Sequence, residues 1–136
     1  MPINISNLEK AIESLAAALA AYANAVHPEG STEREVMRDG VIQRFEYTFE
    51  LSWKMLKRYL EEYGLERVDS LTNRDLFRVG CEQGMLRDAE TWLDFLKKRN
   101  LTSHTYDAAT AEAVYQSASE FLRDARFLLE RLREKV

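Results

Sequence analysis

The side chains best suited to chemistry lie in one polar stretch, residues 99–107, with the sequence RNLTSHTYD. This stretch joins an arginine, an amide, several hydroxyls, a histidine, a tyrosine and an aspartate between two amphipathic segments. It is too polar to belong to a core. His104 is one of only two histidines in the chain. Any catalytic function is therefore expected to centre on these residues.

Arg99 and His104 have the side-chain types that RNA cleavage without a metal ion requires. This reaction needs a base for the 2′-hydroxyl proton, an acid for the leaving oxygen, and a cation beside the phosphate. Histidine exchanges protons near neutral pH, and arginine binds phosphate with a planar fork of donors. Asn100, Thr102 or Ser103 could orient either group. Because one histidine does not readily act as both acid and base, two copies facing each other across a dimer would suit this chemistry.

A purely structural explanation accounts for the same stretch. The basic residues 97–99 suit the negative end of a helix dipole, and the hydroxyls of residues 102–103 can bond loose backbone groups. Asp107 can cap the next helix, while His104 and Tyr106 can be half-buried with their polar tips bonded. Residue types alone favour this explanation, because loops between helices commonly have this composition.

The segments that must position this stretch show helical periodicity. The pattern predicts a first helix from residue 4 or 6 to Val26, and a second from Thr32 to Tyr63, which Gly64 ends. Ser31 or Thr32 can cap the second helix. This helix is apolar over much of its circumference, so it is expected both at the centre of a bundle and against a second subunit.

Three further helices are predicted after a short break in the pattern. The third runs from Arg74 to about Gln83, before Gly84, and the fourth begins near Asp88. The last helix, capped by Asp107, has the most regular apolar face in the chain. The predicted fold class is all-α, an antiparallel four- or five-helix bundle of the up-and-down type.

A polar cluster interrupts the aromatic surface of the second helix. Its members recur at spacings of three and four residues: Glu46, Glu50, Trp53, Lys54 and Lys57. The structural interpretation is solvent-exposed pairs within the helix, such as Glu50 with Lys54, each contributing about 0.2–0.5 kcal/mol. The functional interpretation is a surface that meets a partner or ligand. Spacing alone favours the intrahelical pairs, because such pairs are common on helices.

Composition excludes several classes of function. The 136 residues carry a net charge of −4, so bulk charge does not hold the protein to nucleic acid. Any RNA contact must be local, at Lys97, Lys98 and Arg99. Cys81 is the only cysteine, which excludes an intrachain disulfide and a cysteine-rich zinc site. With no paired histidines and no glycine-rich phosphate loop, neither a metal nor another cofactor is expected.

Residues 1–136 are expected to form the single domain of a soluble, cytoplasmic protein. Residues 1–10 lack a basic region followed by an apolar run, so no signal peptide is expected. The alanine-rich residues 16–25 are too short to span a membrane, which takes about 20 apolar residues. No membrane partner is therefore expected.

Two segments together resemble a known family. Residues 40–60, GVIQRFEYTFELSWKMLKRYL, and residues 92–107, WLDFLKKRNLTSHTYD, resemble the nucleotidyltransferase substrate-binding protein family of the HEPN superfamily. The resemblance extends over about residues 5–133. It implies a small helical bundle that forms a homodimer. It also implies a two-component complex with a minimal nucleotidyltransferase encoded beside it.

The resemblance further implies roles for individual residues. Related HEPN proteins are metal-independent ribonucleases, often toxins, whose motif is an arginine, a polar residue, a short spacer and a histidine. Arg99, Asn100 and His104 match this motif. In some such pairs the nucleotidyltransferase transfers AMP to a tyrosine two places after the histidine, which is the position of Tyr106. The leading hypothesis is therefore a toxin-like endoribonuclease in which Arg99 holds the phosphate and His104 transfers protons.

Two other hypotheses remain open. The first is a non-catalytic subunit that binds a nucleotide or substrate for its partner enzyme. It would bring together, in one cleft or heteromeric interface, Glu46, Glu50, Trp53 and Lys54 of the second helix with Lys98 and the stretch of residues 99–106, which includes Ser103. The second is a structural dimer whose polar stretch only closes the bundle. Metal-free cleavage of RNA by the pure protein separates the ribonuclease hypothesis from both.

Overall fold

The computed structural model describes residues 3–64 and 67–135, and these ranges contain helices and no strand. Five α-helices follow one another along the chain: α1 (Ser6–Ala23), α2 (Thr32–Tyr63), α3 (Asn73–Glu82), α4 (Ala89–Asn100) and α5 (Ala108–Lys135). Short 3₁₀ turns at Val68–Ser70 and Thr102–His104 precede α3 and α5. The predicted all-α class is confirmed. Residues 1, 2, 65, 66 and 136 of the predicted single domain lie outside the described ranges.

The two long helices at the start of the chain are antiparallel. The Thr48 hydroxyl, in the middle of α2, donates to the carbonyl oxygen of Ala11 in α1 at 3.2 Å. Arg34, at the start of α2, lies over the ring of Tyr22 near the end of α1, 4.5 Å from its centre. The last helix, α5, then packs against α1, α2 and α4. The predicted bundle of long helices is thus confirmed.

A cluster of aromatic rings at the centre of the bundle joins α2, α4 and α5. Phe121 is fully buried, and its ring centre lies 5.2 Å to 5.9 Å from those of Phe45, Phe49, Trp92 and Phe95. Three of these four contacts are edge-to-face, an arrangement that aromatic quadrupoles favour. The cluster fixes α4, and therefore the polar stretch that follows it, against α2.

Side-chain caps begin the helices where the sequence predicts them. The Ser31 hydroxyl accepts a hydrogen bond from the N–H of Arg34 at 3.3 Å, at the start of α2. The Asp88 carboxylate accepts one from the N–H of Thr91 at 3.0 Å, at the start of α4. Gly84, after α3, has a φ of +77°, a conformation that glycine adopts readily. These local signals are present in the sequence whatever the tertiary contacts of each helix.

One predicted helix end differs from the structure, and another is confirmed. The first helix ends at Ala23, so Val26 lies outside it and is 91% exposed. Both the backbone N–H and the side-chain amide of Asn24 donate to the carbonyl oxygen of Ala20, which closes the last turn early. Gly64 ends α2 as predicted, but its φ is −82°, and glycine is needed there because a β-carbon would collide with the Leu60 carbonyl oxygen.

Candidate functional site

A carboxylate of α2 holds Arg99, which lies in the last turn of α4. The Arg99 Nε donates to Oε1 of Glu50 at 2.6 Å, and the two side chains are 34% and 37% exposed. Within the described residues, the terminal Nη nitrogens of Arg99 bind no protein acceptor. The favoured pairing of Glu50 with Lys54 is therefore wrong, since Lys54 is exposed to solvent and Glu50 contacts α4. A guanidinium fixed by the fold loses less side-chain freedom on pairing than a mobile lysine does.

Thr102 joins the same group of side chains from the turn after α4. Its hydroxyl lies within hydrogen-bond distance of a Glu46 carboxylate oxygen and 2.8 Å from the carbonyl oxygen of Arg99. We call Glu46, Glu50, Arg99 and Thr102 the carboxylate cluster. The sequence pointed to Thr102 as a group that could orient a catalytic side chain or bond a loose backbone group, and its bond to the Arg99 carbonyl oxygen confirms the second prediction. The available signal was the four-residue spacing of Glu46 and Glu50, which puts both carboxylates on one face of α2.

His104 and Tyr106 are open to solvent beside this cluster. His104 is exposed, and Tyr106 is 87% exposed. Their rings lie 6.2 Å apart between centres in an edge-to-face arrangement. The alternative in which both residues are half-buried is therefore wrong. Successive tight turns, closed by the N–H of His104 on the Leu101 carbonyl and by the N–H of Asp107 on the His104 carbonyl, satisfy the backbone here without burying either ring. An exposed imidazole and an exposed phenol are accessible to a substrate or an enzyme.

Asp107 marks the end of the polar stretch and the start of α5. Its carboxylate accepts hydrogen bonds from the hydroxyl of Thr110 at 2.8 Å and from the backbone N–H of Thr110 at 3.0 Å. Both bonds favour the charged carboxylate and hold the pKa of the Asp107 carboxyl below its ordinary value. The bond from the Thr110 hydroxyl has the larger effect. The cap predicted at Asp107 is confirmed, and it fixes the start of α5 four residues after His104.

The rest of the polar cluster predicted on α2 lies apart from Arg99. The Trp53 indole nitrogen donates to the side-chain oxygen of Asn73 in α3 at 3.2 Å. Lys57 lies 5.5 Å from the centre of the Trp53 ring and 3.6 Å from a carboxylate oxygen of Asp69. The cluster therefore divides, with its glutamates at the end of α4 and its tryptophan against α3.

The predicted basic patch of residues 97–99 is partly neutralised. Lys98 pairs with Asp94 on its own helix at 3.2 Å, and Arg99 pairs with Glu50. Asn100 and Ser103 are exposed beside them. The positive charge that this end of α4 offers to an RNA backbone is therefore smaller than the sequence suggests. It comes from the Nη nitrogens of Arg99 and from Lys97, which is exposed and has no ion pair among the described residues.

Residues 3–64 and 67–135 were searched for metal sites and for helices that could cross a membrane. No group of three or more histidine, cysteine, aspartate or glutamate side chains in this part of the chain is arranged to hold a metal ion. None of the helices in it is both long enough and apolar enough to cross a membrane.

The sequence pattern of a known family matches almost the whole chain. The family is described as nucleotidyltransferase substrate binding protein like, and the match covers residues 3–134. The chain belongs to this family. The segment after α4 and the α2 face that holds it are both inside the matched region, so the carboxylate cluster lies within the part of the chain that the family pattern covers.

A curated relative extends the comparison to a named activity. The chain is 37% identical over 107 residues to a Haemophilus influenzae protein named probable ribonuclease HepT. The aligned region covers 77% of this chain and 73% of that protein. This name is that of the relative. The alignment includes most of the length of both proteins.

Two solved structures have the same fold. One, from Haemophilus influenzae, is described as the fold of a substrate binding domain of a nucleotidyltransferase. It is 34% identical, has a TM-score of 0.88, and the match covers 96% of this chain and 99% of the other. The second, a crystal structure of a protein from Thermus thermophilus, is 37% identical with a TM-score of 0.72 over 93% of this chain and 98% of the other. The five-helix bundle is therefore the fold of these relatives too.

Proposed function

We propose that this family member is the HEPN subunit of a two-component system with a minimal nucleotidyltransferase, and that it acts as a toxin-like, metal-independent endoribonuclease. The observation that carries the proposal is the hydrogen bonding of Arg99. Glu50 binds its Nε, while its Nη nitrogens bind no acceptor in the described residues and are free for a phosphate. The exposed His104 follows in the next turns of the chain. The similarity to a protein named probable ribonuclease HepT adds support.

The proposed reaction uses His104 as the proton carrier. A neutral imidazole takes the proton of the 2′-hydroxyl, the 2′-oxygen bonds to phosphorus, and the bond from phosphorus to the 5′-oxygen breaks. A protonated imidazole from a second copy gives its proton to the leaving 5′-oxygen. The products are a 2′,3′-cyclic phosphate and a 5′-hydroxyl. Arg99 stabilises the charge that develops on the phosphate oxygens, and Asn100 orients the scissile group.

A homodimer is part of this proposal because each chain brings a single His104. The surface of α2 supports association, since Val36 is 63% exposed and Tyr47 is 38% exposed on it. Met37 is only half-buried beside them. A second copy that covered this surface would remove apolar area from water. Two copies would then supply the acid and the base.

The carboxylate cluster gives the first test of the proposal. Arg99→Lys is expected to lower the rate of RNA cleavage in EDTA by about a hundredfold, because lysine lacks the planar fork that binds a phosphate. Glu50→Ala is expected to lower it by about tenfold, because Arg99 then loses the carboxylate that orients it. The measurement is the initial rate of cleavage of a fluorescent oligoribonucleotide by purified protein.

The control for this test is Glu61→Ala, which removes an exposed glutamate from the same helix. This variant is expected to cleave at the wild-type rate. Melting temperatures of all variants establish that the compared proteins are folded. Equal rates for the wild type and folded Arg99→Lys would contradict the role of Arg99, and absence of cleavage by the wild type would contradict the ribonuclease itself.

Tyr106 is proposed as the residue through which the partner enzyme silences the ribonuclease. Its 87% exposure and its ring contact with His104 support this role, since bulk and negative charge on the phenol would block the site. With the partner nucleotidyltransferase and ATP, the chain is expected to gain the mass of one AMP group. In this reaction the phenol oxygen bonds to the α-phosphate of ATP, and pyrophosphate leaves. Tyr106→Phe is expected to gain none and to remain active. Modification of the folded Tyr106→Phe variant, seen by mass spectrometry, would contradict this assignment.

A second candidate function is a non-catalytic subunit that binds a nucleotide or substrate for the partner. It is favoured by the description of the 34% identical relative as a substrate binding domain of a nucleotidyltransferase. In this function the carboxylate cluster, Lys98 and Ser103 would contact the partner or its substrate, in the cytoplasm as for the ribonuclease. Pure protein that leaves RNA intact but raises the activity of the partner enzyme would support this function over cleavage.

A further inference from the structure

A pocket lies at the start of α2, far from the part of α2 that contacts α3. It has no role in the function proposed above. It has a volume of about 530 Å³ and lies between the end of α1, the start of α2 and the start of α5. Tyr22, Arg34, Arg38 and Tyr115 line it, and we call it the two-arginine pocket. Arg38 precedes Glu46 by eight residues, which is about 12 Å along a helix. Along α2 the pocket is therefore separate from the carboxylate cluster, while its wall at Ala108 begins two residues after Tyr106.

The two arginines of this pocket differ from the other half-buried arginines. In the described part of the chain, Arg44, Arg99 and Arg131 are half-buried, and the Nε of each donates to an acceptor at 2.6 Å to 2.9 Å. The Nε atoms of Arg34 and Arg38 are buried and have no acceptor, and among the described residues the one acceptor of either guanidinium is the carbonyl oxygen of His27, 3.4 Å from Nη1 of Arg34. A buried donor without an acceptor is destabilising, and most proteins avoid it. These two half-buried guanidinium groups line one pocket four residues apart and have almost no acceptors from the chain, so their Nη nitrogens are available to an acceptor from outside it.

The charges around the pocket indicate what kind of acceptor this is. Three glutamates also line it, Glu29, Glu35 and Glu112, yet none forms an ion pair with either arginine among the described residues. All three are exposed, whereas both arginines are half-buried. The positive charges thus lie deeper than the negative ones. An anionic group is attracted to the inner part, and hydrogen-bond donors are attracted to the rim.

Two tyrosines complete the pocket with aromatic surface. The rings of Tyr22 and Tyr115 lie 4.7 Å apart between centres, and Arg34 covers the face of Tyr22. Burial, with the nearby Tyr22 and Glu112, raises the pKa of the Tyr115 phenol, so this hydroxyl stays protonated at neutral pH. The volume falls in the range of about 300–1,000 Å³ that small-molecule sites occupy. The pocket thus combines an aromatic wall, guanidinium groups without an ion pair, and rim carboxylates.

From this arrangement we infer that the two-arginine pocket binds a nucleoside monophosphate. Arg34 and Arg38 contact the phosphate, Tyr22 and Tyr115 contact the nucleoside, and the rim glutamates accept hydrogen bonds from ribose hydroxyls or a base amino group. A bare phosphate would use the arginines alone and would be repelled by the rim carboxylates. This inference does not depend on the ribonuclease activity.

Isothermal titration calorimetry of the full chain tests the inference, with AMP, GMP, CMP and UMP as separate probes. At least one nucleotide is expected to bind with one site per chain, and adenosine or inorganic phosphate alone is expected to bind more weakly. Arg38→Met is expected to weaken the nucleotide by about tenfold to a hundredfold, because it removes charge-assisted hydrogen bonds to the phosphate. The control Arg58→Met, an exposed arginine of the same helix, is expected to bind as the wild type does.

Thermal melting gives a second readout that a purely structural arginine would not reproduce. Without ligand, Arg38→Met is expected to melt no lower than the wild type, because it loses a buried donor that had no acceptor. With nucleotide, only the wild type and Arg58→Met are expected to melt higher. If Arg38→Met fails to fold, Arg38→Lys serves instead, with reduced affinity expected. The inference is overturned if no nucleotide binds, if inorganic phosphate binds as tightly as the nucleotides, or if folded Arg38 variants bind like the wild type.

Discussion

His104→Ala is expected to lower the rate of RNA cleavage in EDTA by about a hundredfold to ten-thousandfold, the usual contribution of a positioned general acid or base. The loss follows from the proposed reaction, in which His104 of one copy accepts the proton of the 2′-hydroxyl and His104 of the other copy donates a proton to the leaving 5′-oxygen. The free energy of unfolding is expected to change little, because the His104 side chain is exposed and contacts the ring of Tyr106, which is exposed too. The measurement compares single-turnover rates with the melting temperature of each protein.

His27 provides a matched control for this experiment. It is the other histidine of the chain, and it is also exposed, in the loop between α1 and α2. His27→Ala is expected to cleave RNA at the wild-type rate, which excludes a nonspecific effect of losing an imidazole. Wild-type products are expected to carry 2′,3′-cyclic phosphates. Cleavage at the wild-type rate by clean His104→Ala would contradict the proposed catalytic role.

The requirement for two histidines adds a condition to the same experiment. Light scattering of the wild type at micromolar concentration is expected to give twice the 15.8 kDa mass of one chain. A single-chain mass together with full activity would contradict the sharing of acid and base between two copies. If Arg99→Ala and His104→Ala lower only the melting temperature, and change neither cleavage nor partner binding, the polar stretch has a structural role.

Phe121→Ala is expected to lower the free energy of unfolding by about 3–5 kcal/mol, the cost of truncating a large aromatic side chain in a packed core. Phe121 is fully buried and contacts four other rings from α2 and α4. Its loss leaves a cavity and removes three edge-to-face contacts at once. Urea unfolding followed by circular dichroism measures the change, which is a large part of the stability of a domain of this size.

Phe127 on the same helix is the control for this experiment. It is only half-buried, and its described ring contact is the guanidinium of Arg87 at 5.7 Å. Phe127→Ala is therefore expected to cost clearly less than Phe121→Ala. A loss of stability at Phe121 no larger than that at Phe127 would contradict the central position of the aromatic cluster.

Features that depend on residues close together along the chain could be predicted from the sequence alone. The helix starts at Ser31, Asp88 and Asp107 follow from short polar side chains that accept hydrogen bonds from the first turn. The buried face of α5 follows from apolar residues that recur every three or four positions. Those residues are Ala111, Val114, Ala118, Phe121, Ala125, Leu128, Leu129 and Leu132. Such signals act within one or two turns, so the sequence already contains them.

Candidate site residues were also recognisable, but their contacts were not. Arg99 and His104 could be selected from residue type and from the resemblance to the family, and their catalytic roles stay predictions. The partner of Glu50 could not be selected, because Lys54 is four residues away and Arg99 is 49 residues away. Spacing along the helix favours the lysine. Only the packing of α4 on α2 brings the guanidinium to the carboxylate.

The two-arginine pocket is the clearest example of what the tertiary structure decided. Its residues come from α1, the loop after it, α2 and α5, and they form no recognisable motif along the chain. Whether Arg34 and Arg38 find acceptors depends on which side chains three helices bring near them. The sequence by itself determined where helices begin, where most of them end, and which faces they bury, because these depend on local interactions. Packing between distant segments determined which charges are paired and which remain free to bind a ligand.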